Sequence, residues 1–260
     1  MKKIIILTSH ELRHKFFGYY LNTQRGIKLL YVVHEKMNKL SENKKFQNSN
    51  IFKKHINHRK ISEKKYFSKY KNKYNSMFVK KGAVNEAAFI EKIRSDNPDY
   101  IVTFGCSILK ENFIKNFKNK TINIHLGLSP YYRGSGTNFF PFVNEELQFL
   151  GSTIMKISKK IDGGDIISQV RPKIYSSDKI HDIGNRIILK TAKVIKKIIL
   201  SKKIVSHKKR ANKKSRYFKR EDFTVEVLKK AINNLKLGAV DSYLKNENQL
   251  KKKYPIIIKY

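Results

Sequence analysis

Short apolar runs alternate with amphipathic stretches through the first 200 residues of the chain. Residues 3–8 are a nearly continuous apolar run, which predicts a buried strand, and residues 11–23 place apolar side chains at helical spacing. A second strand is predicted over residues 28–33. A β-α-β beginning of this kind predicts a parallel sheet with helices on its faces.

The alternation continues to residue 200. A helix is predicted over residues 85–95, ended by Asn97-Pro98-Asp99, and a shorter helix over residues 138–145. The remaining predicted elements are strands at residues 100–104, 121–125, 152–157 and 166–170 and a long amphipathic helix at residues 180–200. The pattern predicts an α/β fold: an open, mostly parallel Rossmann-like sheet with helices on both faces, plus a small C-terminal helical appendage.

Two segments differ from this pattern in composition. Residues 36–82 are rich in Lys, Asn and Ser and poor in branched aliphatic side chains, so we predict an exposed basic insertion, partly helical over residues 58–71. It is either a solvated segment or a flap that faces a substrate. Residues 201–220 are a basic run that indicates a boundary. The predicted main domain is therefore residues 1–200, and residues 201–260 are a basic linker and a small appendage.

The formal net charge of +37 comes from 57 Lys and Arg residues against 20 Asp and Glu residues. A charge of this size suits a nucleic-acid partner. The lysines, however, are spread over the whole chain, and Ile and Asn are also abundant, as in proteins encoded by AT-rich sequences. The charge has two interpretations, coding bias and a functional basic surface, and the even spread favours the first.

Composition also bears on location and on cysteine chemistry. No stretch approaches the roughly 20 apolar residues of a membrane span, and the N-terminal apolar run is too short for a signal peptide. We therefore predict no membrane association and a cytoplasmic location. Cys106 is the single cysteine, so no intrachain disulfide can form. No base is evident near Cys106, so a small packed residue is the favoured interpretation, and a nucleophile is the alternative.

Three polar side chains stand out as candidates for chemistry. Asn123 and His125 are two positions apart on a predicted strand, so they lie on the same face. That strand breaks into a loop rich in Gly, Ser and Pro, and Asp162 precedes Gly163-Gly164 in a later turn. This set of an amide, an imidazole and a carboxylate lacks a nucleophile and lacks a metal-ligand cluster. It suits proton transfer and stabilisation of an oxyanion during direct group transfer.

The residues around these side chains resemble a known family. The string Asn-Ile-His-Leu-Gly-Leu-Ser-Pro-Tyr-Tyr-Arg-Gly, residues 123–134, resembles the Asn-x-His and Ser-Leu-Leu-Pro-x-Tyr-Arg-Gly signature of the folate-dependent formyltransferases. The string Ile-Asp-Gly-Gly-Asp-Ile-Ile, residues 161–167, resembles the Asp-containing loop of the same family. The two motifs agree in order and spacing, and the resemblance covers residues 1–200. Residues 126–130 depart from the usual Ser-Leu-Leu-Pro run, which concerns the substrate loop more than the chemistry.

The resemblance implies a donor, a mechanism and a set of site residues. The donor is 10-formyltetrahydrofolate, and no metal is needed. Asn123 and protonated His125 donate hydrogen bonds to the oxyanion, while Asp162 holds His125 and relays a proton. The strand-end position and the resemblance together place the donor on two segments, with Phe104, Gly105, Ile108, Leu109, Gly163 and Asp165 as binding residues. Arg133, suited to an anionic group, and Gly134 are expected to bind the acceptor, with a structural ion pair as the alternative for Arg133.

The identity of the amine acceptor is the open question. Methionyl-tRNA formyltransferases carry a β-barrel-like C-terminal domain, whereas the 60 residues after Leu200 read as helical and basic. A nucleotide-linked amino sugar or a related small amine is therefore the favoured acceptor, and tRNA is a less favoured partner. The alternatives are a methionyl-tRNA formyltransferase-like enzyme, an inactive RNA-binding relative and a formyl-folate hydrolase. The oligomeric state is not determined by the sequence.

Overall fold

Strands and helices alternate over the first 125 residues in the computed structural model, which describes residues 1–36, 46, 48–208 and 215–259. The strands are β1 (Lys2–Thr8), β2 (Ile27–Lys36), β3 (Ser76–Lys80), β4 (Tyr100–Phe104), β5 (Thr121–His125), β6 (Tyr132–Gly134), β7 (Ser152–Lys156), β8 (Ile166–Val170) and β9 (Arg216–Phe218). The helices are α1 (Leu12–Asn22), α2 (Asn50–Phe67), α3 (Ala87–Asp96), α4 (Glu111–Phe117), α5 (Phe140–Val143), α6 (Ile180–Leu200), α7 (Val225–Lys236) and α8 (Ala239–Lys253).

Seven of these strands form one sheet in the order β3-β2-β1-β4-β5-β7-β8. The first five are parallel to one another, and β7 runs antiparallel to both β5 and β8. The predicted α/β fold with a mostly parallel sheet is therefore confirmed. The strand order reverses between β1 and β4, and crevices at such switch points, outside the carboxyl ends of the strands, are where open α/β sheets bind ligands.

The two faces of the sheet carry separate apolar layers, as β1 shows. Ile4 and Ile6 pack with residues of α1 and α6, whereas Ile5 and Leu7 pack with residues of α3 and α4. All four of these side chains have no exposed surface. A strand buried on both faces needs apolar residues at every position rather than at every second one, which explains the unbroken apolar run in the sequence.

The segment predicted to be an exposed insertion is instead part of the fold wherever the structure describes it. Helix α2 buries Phe52, Ile56 and Phe67, and β3 pairs in parallel with β2 at the edge of the sheet. The helix begins at Asn50, well before the predicted start, because the Ser49 hydroxyl caps it by accepting a hydrogen bond from the Phe52 amide. Aromatic rather than branched aliphatic side chains provide much of the burial, so the composition was misleading. Residues 37–45 and 47 lie outside the described residues.

The predicted C-terminal helical appendage is present as α7 and α8. These helices place Leu228, Ala231 and Tyr243 in an apolar cluster with Phe142 and Phe149 from the region after β5. The same part of the chain also supplies β9, which pairs in parallel with β6 in a separate two-stranded sheet. The domain boundary at residue 200 stays a prediction. Within the described ranges, no helix is both long enough and apolar enough to cross a membrane.

Candidate active site

Strand β5 positions the first two candidate side chains. Its neighbour β4 places Thr103 directly opposite Asn123, and the Thr103 hydroxyl donates a hydrogen bond to Asn123 Oδ1 at 2.8 Å. The carbonyl oxygen of the Asn123 amide is thereby fixed toward β4, which leaves the amide nitrogen as the donor toward other acceptors. His125 ends the strand and is only 6% exposed. The Thr103 contact could not be predicted from the sequence, because the register between two strands is a tertiary property.

Both ring nitrogens of His125 face hydrogen-bond acceptors. Nε2 lies 3.0 Å from the carbonyl oxygen of Tyr132, and Nδ1 lies 3.3 Å from Asp162 Oδ1. A carbonyl oxygen can only accept, so Nε2 carries a proton. The structure thus brings the His125 ring and the Asp162 carboxylate together at ion-pair distance.

Asp162 reaches His125 by an unexpected route. Strand β7 runs antiparallel to β5, with Lys156 opposite Ile122, so β7 ends far from His125 and the following loop must return toward it. Asp162 adopts a left-handed conformation in this loop, with φ of 49°. Its second oxygen, Oδ2, accepts a hydrogen bond from the Gly134 amide at 2.9 Å. The carboxylate is therefore fixed from two sides.

The predicted donor segment, residues 104–109, is fixed from beneath by a buried carboxylate. Glu35, with no exposed surface, accepts hydrogen bonds from the Ser107 amide at 2.6 Å and the Gly82 amide at 2.7 Å. Ile108 is 68% exposed, and its carbonyl accepts from Asn85 Nδ2. Sequence reasoning missed Glu35, although a lone acidic residue at the end of an apolar strand is a signal that could have found it.

Gly105 and Cys106 belong to the same segment, and the first is required by its backbone geometry. Gly105 has φ of 65°, and a Cβ there would lie 2.9 Å from His14 Nε2, so a close approach requires glycine. Phe104 precedes it, and its carbonyl accepts from the Thr8 hydroxyl at 2.6 Å. Burial and the neighbouring Glu35 raise the pKa of the Cys106 thiol to about 12. The thiol is therefore protonated at neutral pH, which argues against a nucleophilic role.

The remaining predicted residues occupy neighbouring loops. Leu109 packs against the apolar layer under α3 and α4. The Gly163 amide donates to the Lys160 carbonyl, and the Asp165 carbonyl accepts from the Lys156 amide, so both help to shape the loop that carries Asp162. Arg133 Nε donates to Ser215 Oγ at 3.1 Å, a contact with the C-terminal segment.

The open, mostly parallel α/β sheet defines the broad class of the protein, and comparison with known proteins gives the family. A model of the formyl transferase family matches residues 2–199. The chain therefore belongs to the formyl transferase family, and the resemblance found in the sequence is confirmed.

Curated relatives match a shorter part of the chain. Methionyl-tRNA formyltransferase of Finegoldia magna is 25% identical over 142 residues, which are 50% of this chain and 46% of that protein. Methionyl-tRNA formyltransferase of Halalkalibacterium halodurans is 33% identical over 118 residues, which are 45% of this chain and 37% of that protein. The matches thus span less than half the length of these relatives.

Solved structures match most of the chain at low identity. A sugar N-formyltransferase from Shewanella sp. FDAARGOS_354 has a TM-score of 0.57 at 15% identity, covering 90% of this chain and 88% of that one. Phosphoribosylglycinamide formyltransferase from Streptococcus pneumoniae TIGR4 has a TM-score of 0.53 at 17% identity, covering 76% and 96%. At these identities the likeness shows the fold alone.

Proposed function

We propose that this chain transfers a formyl group from 10-formyltetrahydrofolate to a primary amine. The observation that carries the proposal is the His125–Asp162 pair next to Asn123, in a chain that belongs to the formyl transferase family. A direct transfer needs hydrogen-bond donors for the developing oxyanion and a group that moves the proton of the amine. The three side chains supply both.

The proposed reaction proceeds through a tetrahedral intermediate. The uncharged amine attacks the formyl carbon, a C–N bond forms, and the carbonyl electron pair moves to oxygen. The Asn123 amide nitrogen donates to that oxygen, and the positive charge of protonated His125 stabilises it. Asp162 accepts the proton of the attacking amine and passes it toward the folate nitrogen, whose bond to the formyl carbon breaks. No covalent bond to the protein forms.

The donor is proposed to bind at the loop after β4. The support is that Phe104 ends a parallel strand next to the switch point of the sheet, and that Gly105, Ile108 and Leu109 follow it. The loop with Gly163 and Asp165 carries Asp162 and is proposed as the second wall. The exposed Ile108 offers an apolar surface for a flat ring.

The acceptor is proposed to be a nucleotide-linked amino sugar or a related small molecule. The support is that the likeness to the Shewanella sugar N-formyltransferase structure covers 90% of this chain. In addition, the described part of that segment forms two helices and one short strand. Arg133 and Gly134 stay proposed on the acceptor side: the Ser215 contact uses one of the five N–H donors of the guanidinium, and the others suit an anionic group. The curated relatives keep methionyl-tRNA as the second candidate.

A panel assay tests this proposal. The purified chain is incubated with 10-formyltetrahydrofolate and, separately, with several nucleotide-linked amino sugars, glycinamide ribonucleotide and initiator methionyl-tRNA. Formylation of an amino sugar supports the proposal, and formylation of methionyl-tRNA at physiological salt replaces the acceptor. Formate release without an acceptor indicates a hydrolase. Tight tRNA binding without any formylation favours an inactive RNA-binding relative. The cytoplasmic location stays a prediction.

A further inference from the structure

Strand β6 is hydrogen-bonded along both of its edges, and the two edges serve different partners. Toward β9, the Tyr131 carbonyl accepts from the Arg216 amide at 2.7 Å, and the Ser135 amide donates to the Phe218 carbonyl at 2.8 Å. Toward the candidate site, the Tyr132 carbonyl accepts from His125 Nε2 and the Gly134 amide donates to Asp162 Oδ2. Backbone groups of successive strand residues point to opposite edges, so odd-numbered residues bind β9 and even-numbered residues hold the His125–Asp162 pair.

Side chains of β9 fix β6 in this position. Arg216 makes two hydrogen bonds to the Glu146 carboxylate, at 3.2 and 3.3 Å, and that carboxylate also accepts from the Tyr132 hydroxyl. The Phe218 ring stacks on Tyr132 with centroids 5.6 Å apart and on Phe140 with centroids 3.8 Å apart. Backbone pairing, a charged pair and ring stacking thus act on a strand of three residues, which would otherwise be too short to hold its position.

At Gly134, strands β6 and β9 lie too close together to leave room for a side chain. This residue has φ of 88°, and a Cβ there would lie 2.1 Å from the Phe218 carbonyl oxygen. Any larger residue would push the two strands apart. The same residue donates its amide to Asp162, so the close approach of β9 and the position of the carboxylate are linked through one backbone unit.

We infer that β9, which lies outside the residues matched by the family model, is a positioning element for the reaction. It holds β6 in place, and β6 in turn orients His125 through the Tyr132 carbonyl and Asp162 through the Gly134 amide. Arg216 and Phe218 are therefore positioning residues rather than catalytic residues. The inference deepens the proposed function and rests on it for the claim that β9 affects catalysis. The positioning of His125 and Asp162 by β6 does not depend on which amine is the acceptor.

Two variants of β9 test the inference, with one matched control. Arg216→Ala removes the bridge to Glu146 from a side chain that is 50% exposed, so the variant is expected to fold. Phe218→Ala removes the ring stack. Lys219→Ala is the control: its side chain is 64% exposed and contacts Glu221 just beyond the strand. We expect kcat to fall about tenfold in each β9 variant with KM for the donor changed less than about twofold, and no change in the control.

A second measurement reads the position of the imidazole directly. In protein labelled with ¹⁵N at histidine, the His125 Nε2–H signal, assigned by its loss in His125→Gln, is expected to exchange slowly with solvent in the unmodified chain. Arg216→Ala is expected to speed this exchange, because the Tyr132 carbonyl is no longer fixed, while the melting temperature changes little. Unaltered exchange and unaltered kcat in folded Arg216→Ala would overturn the inference.

The two measurements separate the inference from the proposed function. If no acceptor is formylated by the unmodified chain, the proposed function fails, and the exchange measurement still decides whether β9 positions His125. If Phe218→Ala does not fold, Phe218→Leu retains apolar packing without the flat ring, and Arg216→Ala gives an independent result. Unchanged exchange in both of these folded variants contradicts the inference.

Discussion

His125 is an imidazole surrounded by groups that can only accept a hydrogen bond. The Tyr132 carbonyl lies 3.0 Å from Nε2, and the Asp162 carboxylate lies 3.3 Å from Nδ1. In the proposed mechanism the ring donates to both groups, and its positive charge stabilises the developing oxyanion. Replacing the carboxylate by an amide of the same shape separates this electronic role from simple packing.

Asp162→Asn is expected to lower kcat for formyl transfer at least about 100-fold without unfolding the chain. An amide can still accept from the Gly134 amide and can donate to Nδ1, so the geometry is retained while the negative charge is lost. His125→Ala should give a loss of similar size. The matched control is Asp241→Asn on the exposed first turn of α8, which should leave kcat unchanged. Near-normal turnover in folded Asp162→Asn would remove Asp162 from the mechanism.

Thr103→Val tests the orientation of the Asn123 amide. The substitution removes the hydroxyl that holds Oδ1 and is expected to lower kcat about tenfold and the free energy of unfolding by about 1 kcal/mol. Thr121→Val is a matched control, because Thr121 is also buried and its hydroxyl donates to the Phe117 carbonyl, away from the site. Steady-state kinetics and denaturant titration of both variants give the comparison. Equal turnover in the two variants would contradict the proposed role of Thr103.

At the scale of elements, the loop between β5 and β6 is held by a side chain from β8. Gln169 Nε2 donates to the Ser129 carbonyl at 2.7 Å, and Gln169 Oε1 accepts from the Ile257 amide at 3.2 Å. The Ile257 carbonyl accepts in turn from the backbone amide of Gln169. One buried glutamine therefore connects the loop after His125, the edge of the sheet and the C-terminal segment.

Gln169→Leu is expected to lower the free energy of unfolding by about 1 to 3 kcal/mol, because it leaves the Ser129 carbonyl and the Ile257 amide without their partner. Leucine retains the approximate volume, so a cavity contributes little. Urea titration measures the change. Asn246→Ala is the control, since that amide bonds the Ser242 carbonyl on the exposed face of α8. A loss no larger than that of the control would show that the Gln169 contacts do not stabilise the chain.

At the scale of the whole molecule, the free energy of unfolding depends on mild acid through the histidines rather than the lysines. Burial lowers the pKa of four histidines, to about 4 for His55 and about 2 for His181, with lowered values also for His14 and His34. Each of them gains a proton more readily when the chain is unfolded. Carboxylates with a lowered pKa, such as that of Glu11, respond only in stronger acid.

The free energy of unfolding is therefore expected to fall as the pH decreases from about 7 toward 5. The unfolded state binds protons below its histidine pKa near 6.5, whereas the folded state does not until the lowered values are reached, so acid favours unfolding. The loss should be on the order of 1 kcal/mol at pH 5.5 for each of His55 and His181. His181→Gln can retain a donor to the His55 carbonyl, and it should make the free energy of unfolding depend less steeply on pH. His58→Gln, on the exposed side of α2, should not. An unchanged slope in His181→Gln would contradict this explanation.

The sequence by itself determined those features of the protein that are visible as a hydrophobic pattern within a single element. Apolar runs and helical spacing are signals of burial that need no distant partner, so six strands of the large sheet and the long helix α6 were predictable, whereas β3, β6 and β9 were not. Asn123 and His125 share a face because side chains alternate along any strand. The family followed from two short motifs in the right order.

Only the tertiary structure decided which distant segments meet. Asp162 reaches His125 from a loop that returns along an antiparallel strand, and no local period encodes that return. Strand β9 has three residues, too few for a detectable alternation, and its partner lies more than 80 residues earlier in the chain. Helix α2 is basic in composition but buries aromatic side chains whose partners are distant in sequence. Contacts of this kind depend on where whole elements pack, which the hydrophobic pattern of a single segment does not specify.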